Sequence, residues 1–305
     1  MEQTELEKRE GTKTSAFGTN GRYNHDSSEF YNKKIYTNTN IKKNVKYKEN
    51  EIDQNYINKI ICKSSEIMSE LPDNSIHLMV TSPPYNVGKE YDEDLTINQY
   101  LEMLKKVFKE THRVLVPGGR VAINIANIGR KPYIALHSDI IKLMENIGFF
   151  MRGEVIWDKG SSAGGSCAWG SWKSASNPVL RDIHEYILIF SKDTFKRKGK
   201  NKNKKDTISR DEFLEYTKSI WKFNTESATR VNHPAPFPVE LPRRLIQLYT
   251  FKNDIVLDPF MGSGTTALAA LNSGRKFIGY EISDQYCEIA RKRINEETSQ
   301  AKLIK

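Results

Sequence analysis

A strand, a glycine turn, a helix and a second strand ending in an acid occupy Asp254 to Glu281, close to the end of a 305-residue chain. Asp254–Leu257 reads as a short buried strand, followed by Asp258-Pro259-Phe260-Met261-Gly262-Ser263-Gly264-Thr265-Thr266. The alanine-rich run Ala267–Asn272 reads as a helix stopped by Gly274, Lys276–Glu281 as a strand, and the segment from Asp284 to about Asn295 as a last helix. Glycines in such a turn let backbone approach a ligand closely, and an acid at the end of the second strand is placed to accept from two ribose hydroxyls. The segment is therefore a nucleoside-binding βαβ unit. Gly262 to Ala267 also fits G-x-G-x-x-G/A, which leaves NAD and other adenosine ligands undistinguished. A unit this small cannot bury its own faces. Its sheet must be completed by upstream strands, which read at 58–61, 76–80, 120–126, 152–157 and 183–190. The first strand in space is then nearly the last in sequence, so the expected fold is α/β: a doubly wound, mostly parallel sheet in circularly permuted order.

The second constraint is Thr81-Ser82-Pro83-Pro84-Tyr85-Asn86, directly after the apolar run Ile76–Val80. Two prolines cannot continue a sheet ladder, so the chain leaves the strand there as a stiff loop. Proline lacks an N–H, which makes the loop rich in acceptors and poor in donors. Such a loop suits a planar ligand that presents an amino group: Ser82 and the carbonyls accept, and Tyr85 stacks on the ring. Taken alone, Pro-Pro more often marks an ordinary strand end with Tyr85 as packing, and it is the downstream glycine turn that tips the balance. Ligands of doubly wound sheets sit at the carboxyl ends of the strands. Ser82–Tyr85, Asn124, Asp258 and Glu281 all fall just past strand ends, which predicts their convergence on one cleft.

Between these motifs, Ser65–Leu71 reads as a short helix, and Thr96 caps a helix running to about Arg113 that Val116-Pro117-Gly118-Gly119 ends. Further helices are expected from Pro132 to Asn146, Asp211 to Ile220 and Glu240 to Thr250, with a rigid loop at His233–Pro238. Gly160–Asn177 is rich in Gly and Ser and carries Trp169, Trp172 and Lys173; Lys192–Lys205 holds eight Lys or Arg, among them Lys196, Arg197 and Lys198, against one acid, Asp193. A basic run is as often a solvated loop. An aromatic loop and a cationic loop at one sheet edge are nevertheless suited to gripping DNA phosphates, and those six residues are the expected DNA contacts. The net charge of +9 and pI near 9.2 agree with a polyanionic partner.

Residues 1–45 form a polar, Asn/Lys-rich arm. Its island at Phe17-Gly18, Arg22 and His25-Asp26-Ser27-Ser28 is read as folding over the catalytic face in preference to a free arm. Residues 46–158 are the catalytic half of the main domain, 159–220 the target-recognition insertions around a sheet strand at 183–190, and 221–305 the cofactor-binding half. With 38% hydrophobic residues and no long apolar run, no membrane span or signal peptide is expected. Cys62, Cys167 and Cys287 lie far apart without CxxC spacing, which indicates neither a disulfide framework nor a zinc site, and no metal is expected. A cytoplasmic setting fits.

Together, the two motifs make the chain resemble the amino-group DNA methyltransferases that use S-adenosylmethionine. Ser82-Pro-Pro-Tyr85 matches their catalytic loop and Asp258-Pro-Phe-Met-Gly-Ser-Gly264 their cofactor loop, over about residues 56–190 and 221–297. Catalytic before cofactor loop is the β-type permutation of the Rossmann-like methyltransferase sheet. The resemblance implies that Asp258, Phe260, Gly262, Ser263, Gly264 and Thr265 line the cofactor pocket. Glu281 would hold the ribose, and the loop around Phe237 would close over the methionine part. Ser82, Pro83, Pro84, Tyr85 and Asn124 would attend the target base. Lys63 and His77 depart from the pattern, each standing where an Asp is usual. Lys63 would loosen adenine contacts, and His77 is expected to matter little.

The reaction implied is direct attack of an exocyclic amine on the sulfonium methyl group, without a covalent enzyme intermediate, on a base flipped from duplex DNA. Ser at position 82 after Thr81 resembles the N4-cytosine branch, whereas Asp there is commoner among N6-adenine enzymes. A modification methylase of a restriction–modification system is implied, a monomer or dimer whose restriction endonuclease is a functional and not a physical partner. His25-Asp-Ser-Ser28 resembles members that modify CTAG. Two further readings use the same residues: a nicotinamide-dependent oxidoreductase built on the βαβ unit, and a DNA-binding module without activity.

Overall fold

The computed structural model describes Tyr31 and residues 33–36, 45–85, 95–160, 169–197, 204–225 and 237–303. The Phe17–Ser28 island, Asn86, Cys167 and Lys198 lie outside them. Contacts divide the chain at Lys43/Asn44, and the unit Asn44–Lys305 carries all the strands described. In chain order these are β1 (Lys59–Cys62), β2 (Ile76–Thr81), β3 (Leu115–Ile125), β4 (Phe149–Asp158), β5 (His184–Lys192), β6 (Ile220–Lys222), β7 (Ile255–Asp258) and β8 (Lys276–Glu281). The helices are α1 (Ile97–Val114), α2 (Leu136–Ile147), α3 (Arg210–Tyr216), α4 (Glu240–Tyr249), α5 (Thr265–Asn272) and α6 (Asp284–Leu303).

The strands form one sheet in the order β1-β8-β7-β2-β3-β5-β4-β6. Every adjacent pair is parallel except those made by β5, which runs antiparallel between β3 and β4. From β7 the chain winds outward through α5 to β8, and from β2 it winds the other way through α1 to β3. The switch point therefore lies between β7 and β2, as the permuted order requires.

Both sheet faces are covered, which is why the strands read as apolar runs. Met79, Val121, Ile123, Leu188 and Phe190 pack with Leu104, Phe108, Ile140 and Met144 of α1 and α2. Leu78, Val80, Ala122, Ile187 and Ile189 face Leu241, Leu245, Ala267–Ala270 and Ala290 of α4, α5 and α6. Helix α1 starts where its sequence specifies: Thr96 Oγ1 accepts from Gln99 N at 3.3 Å and Gln99 Oε1 accepts from Thr96 N at 2.9 Å, a reciprocal cap.

Several expectations are corrected. Residues 65–71 form turns, not a helix; there Met68 and Leu71 are buried while Arg113 caps the Met68 and Leu71 carbonyls. Pro117-Gly118-Gly119 does not end a helix but bulges within β3, since Ile76 pairs with Leu115 and Leu78 already with Arg120. Strand β6, too short to show a period, occupies the end of the segment expected to continue α3. Cys62 and Cys287 form a disulfide joining β1 to α6. Spacing rules test only local pairs, whereas this one is created by β1 lying beside β8.

His77 also matters more than expected. Its Nδ1 accepts from Ile255 N at 2.9 Å, which leaves Nε2–H to meet Glu49 Oε1 at 3.2 Å. That hydrogen bond, against the opposing effect of burial, holds the Glu49 carboxyl down to about 2. Beside it lies Asp254, paired with Arg197 and within 4.0 Å of Lys204, both cations stacked on Phe251. This cluster sits at the amino ends of β2 and β7. The described part of the Lys192–Lys205 run belongs to it, because antiparallel β5 delivers the chain to that end. Lys192 Nζ is buried there against Leu115 O (2.6 Å) and Asn74 Oδ1 (2.9 Å), and a side chain on Gly118 (φ +79°) would meet Arg197 Cα at 2.7 Å.

Removing Arg197 takes from buried Asp254 its nearest charged partner, leaving Lys204 only at 4.0 Å. Arg197→Ala is therefore expected to cost about 3 kcal/mol in urea unfolding while leaving DNA affinity and its salt dependence unchanged, which titrations at two salt concentrations check.

Candidate active site

At the switch point the two loops singled out in the sequence meet. Thr81 Oγ1, in the last residue of β2, donates to Asp258 Oδ1 at 2.6 Å, and Thr266 Oγ1 at the start of α5 donates to Asp258 Oδ2 at 2.6 Å. Phe260 N adds a third donor to Oδ1 at 3.1 Å. Asp258 is only 1% exposed, and burial pushes its carboxyl up to about 6 against the opposing pull of these three donors. Its oxygens are thus largely spent in holding the loops together.

The glycine turn folds back on Glu281. Gly262 (φ +51°) donates its N–H to Glu281 Oε2 at 2.8 Å, and Ser283 N donates to Oε1 at 3.0 Å. Each carboxylate oxygen keeps a second lone pair, the donor-poor arrangement that two vicinal ribose hydroxyls require. Gly264, at φ +83°, is where α5 begins, and a methyl group there would lie 3.1 Å from Ala290 Cβ of α6. The side chains of Ser263 and Thr265 are turned inward, sharing Arg293 Nη1 of α6 at 3.3 and 3.0 Å, so these two residues offer a ligand backbone and not hydroxyl. Phe260 packs partly buried on the α1/α2 side and Phe237, ahead of α4, on the α4/α5 side. The turn residues and Glu281 fit the adenosine part of S-adenosylmethionine. Lys63 stands just past β1, paired with Glu70 at 2.6 Å.

Across the switch point, Ser82 Oγ lies 3.1 Å from Tyr85 OH, and Tyr85 OH donates to Glu185 Oε2 at 3.2 Å. Asn124 Nδ2 reaches Tyr85 OH at 3.3 Å and Glu185 Oε2 at 2.5 Å, and Lys159 Nζ pairs with Glu185 Oε1 at 2.5 Å. Burial, then the Glu185 charge, pushes the Tyr85 phenol well up, so it stays a donor. Ser82, Tyr85 and Asn124 are thus drawn into one polar set, with Pro83 and Pro84 forming its rigid link. Glu185 and Lys159 belong to this set, and the motifs do not reveal them. The sheet register explains their arrival: Asn124 pairs with Ile187 and Trp157 with Glu185, so Asn124, Glu185 and Lys159 extend from neighbouring strands at one sheet end. The signal needed is the direction of β5, since a parallel β5 would carry Glu185 to the opposite end.

The expected DNA contacts separate. Residues 169–179 form a hairpin at the carboxyl end of β4, closed by Val179 N to Trp169 O (3.0 Å) and Ser171 N to Asn177 O (2.9 Å). Trp169 and Trp172 stack at 4.3 Å, flanked by Arg181 and Lys173, and Trp172 is 63% exposed. Lys196 and Arg197 lie at the other end of the sheet, past the end of β5, and are not brought to this cleft.

Comparison with known proteins agrees with this layout. The N6/N4 family model described as DNA methylase matches residues 76–292. The Type II methyltransferase M.MjaI of Methanocaldococcus jannaschii is 34% identical, over 80% of this chain and 93% of its own length. The Type II methyltransferase M.MthZI of Methanothermobacter thermautotrophicus is 35% identical, over 78% and 76%. Among solved structures, a candidate DNA modification methylase of Thermus thermophilus, TTHA0409, complexed with S-adenosyl-L-methionine, aligns with a TM-score of 0.64 at 29% identity. The match covers 78% of this chain and 93% of that one.

Because the Asp258 carboxyl is raised from 3.8 to about 6 on folding, the native state binds more protons than the unfolded chain between those values. Its contribution to stability therefore falls as pH rises from about 4 to 6, by on the order of 3 kcal/mol in all. Asp258→Asn is expected to flatten that part of the profile, read as urea midpoints from pH 4 to 7.

Proposed function

Since the chain belongs to the N6/N4 DNA methylase family and uses S-adenosyl-L-methionine, we propose that it methylates the exocyclic N4 of a cytosine flipped out of duplex DNA. The observation that carries this is the Thr81–Asp258 hydrogen bond, 2.6 Å long, which ties the Ser-Pro-Pro-Tyr loop to the cofactor turn. The loop holding Ser82 and Tyr85 starts one residue from that tie, so a base beside them is within reach of a ligand held by Gly262 and Glu281.

The cofactor supplies an electrophilic methyl group on a sulfonium sulfur. A ring amine is a weak nucleophile because its lone pair is delocalised into the ring. Ser82 Oγ and the carbonyl beside Pro83 accept the amine hydrogens and favour a tetrahedral nitrogen as positive charge develops there. As the new C–N bond forms and the S–C bond breaks, the electron pair stays on sulfur, and one amine proton leaves along these acceptors to water. Fixed proximity in the cleft contributes much of the remaining rate. Flipping the base costs a few kcal/mol, and stacking on Tyr85 returns roughly 1–3 kcal/mol. The stacked Trp169–Trp172 pair, with Trp172 exposed and Lys173 beside it, lies at the same sheet end, suited to the duplex around the flipped base.

The choice of N4-cytosine rests on Thr81-Ser82, since Ser in that place resembles the cytosine branch and Asp the adenine branch. The Type II methyltransferase names of M.MjaI and M.MthZI support a modification role, protecting sites from a cognate restriction endonuclease. That role places the protein with its DNA in the cytoplasm. Among the described residues no helix is long and apolar enough to cross a membrane.

Digestion of DNA methylated by the protein is expected to release N4-methylcytosine on mass spectrometry; N6-methyladenine instead would overturn the cytosine assignment. Tyr85→Ala is expected to lower turnover about 10- to 100-fold, the loss of one base stack, with the dissociation constant for S-adenosylmethionine unchanged. Undiminished turnover would remove Tyr85 from the mechanism.

A further inference from the structure

The polar set around Ser82 has a direction, and one side chain gives it that direction. Glu185 is 9% exposed, and its carboxylate receives three donors: Tyr85 OH at 3.2 Å, Asn124 Nδ2 at 2.5 Å and Lys159 Nζ at 2.5 Å. Tyr85 therefore has its hydrogen committed to Glu185, so in the 3.1 Å contact the hydroxyl of Ser82 is the donor and the phenol oxygen the acceptor. That leaves the Ser82 oxygen with lone pairs and no spare hydrogen. Asn124 is constrained in the same way. Its NH2 group must face the acceptor-only carboxylate, which fixes the amide flip and turns Oδ1 away. Among the described residues, Oδ1 of this 2%-exposed side chain has no hydrogen-bond partner. A buried carbonyl without a donor is costly and calls for an explanation. An incoming amine with two hydrogens supplies what is missing.

We infer that Glu185 is the positioning residue of this site: it draws the donors of Tyr85 and Asn124 toward itself so that Ser82 Oγ and Asn124 Oδ1 present only acceptors to the target amine. Lys159 balances its charge and occupies its second oxygen. The role rests on the amine-methylation reading above. It also gives Asn124 its task, since an asparagine free to flip would present NH2 to the amine in one of its two orientations and repel it.

Moving the carboxylate across the hydrogen bond tests this role. Glu185→Gln keeps volume but sets an amide NH2 against either Asn124 Nδ2 or Lys159. Asn124→Asp sets two carboxylates 2.5 Å apart. Each is expected to lower kcat for transfer of labelled methyl groups to DNA about 10- to 100-fold, with KM for S-adenosylmethionine near wild type; Glu185→Gln also keeps the thermal midpoint, which the buried carboxylate pair of Asn124→Asp lowers. In the double variant Asn124→Asp/Glu185→Gln the introduced amide donates to the introduced carboxylate and accepts from Lys159. Tyr85 then donates to that same carboxylate, one of whose oxygens faces the amine. Recovery of at least about tenfold in kcat over Asn124→Asp is expected. A Glu185→Gln variant with wild-type kcat, or a double variant no better than Asn124→Asp, would overturn the positioning role. A wild-type protein that transfers no methyl group to any DNA would instead overturn the functional reading beneath it.

Discussion

The structure depends on a buried carboxylate that belongs to two loops at once. Asp258 accepts from Thr81 at the end of one parallel strand, from Thr266 at the start of the helix after the next, and from the Phe260 amide between them. A carboxylate so enclosed is unfavourable unless its donors are fixed in place. The requirement works in reverse too: β2 and β7 must lie side by side, in one register, for the donors to arrive. The same contact closes the sheet at its switch point and sets the distance between the proline loop and the glycine turn. Ser65, whose hydroxyl reaches Pro259 O at 2.9 Å, adds a second stitch across 194 residues of sequence.

What is legible in the sequence follows from what each element answers to. Parallel strands buried on both faces announce themselves as apolar runs, so Ile76–Thr81 and Lys276–Glu281 stand out, and the βαβ unit comes after the strands it joins, which gives the permuted order. Thr96 is legible because a reciprocal cap is written within four residues. Elements answering to distant partners are not. The turns at 65–71 are held by Arg113, 42 and 45 residues from the carbonyls it caps, and a three-residue β6 carries no period of its own. Ser82, Tyr85 and Asn124 can be placed from strand ends alone. Glu185 cannot, because an antiparallel β5 begins where its parallel neighbours finish. The same reversal explains why Lys196 and Arg197, grouped with the tryptophans by composition, end up far from them.

The two ends of the sheet consequently carry opposite chemistries. At the amino ends, charges are matched and closed in: Arg197 with Asp254, His77 with Glu49, Lys192 with backbone carbonyls. At the carboxyl ends, Glu185 and Asp258 are held by donors of the site itself, and the Asn124 carbonyl and the Glu281 carboxylate keep oxygen lone pairs over. One end pairs its charges among themselves and serves as foundation; the other keeps acceptors for a guest.

The hairpin 169–179 departs from β4 and the chain returns in β5, two strands already zipped to each other along their length, from Phe149 opposite Lys192 to Asp158 opposite His184. Its own backbone hydrogen bonds close it without help from the sheet beneath. Lengthening, shortening or exchanging it would therefore leave every strand register intact. With the role proposed above for its tryptophan pair, a change of sequence preference would need only the trade of one ribbon, the strands and the chemistry below staying as they are.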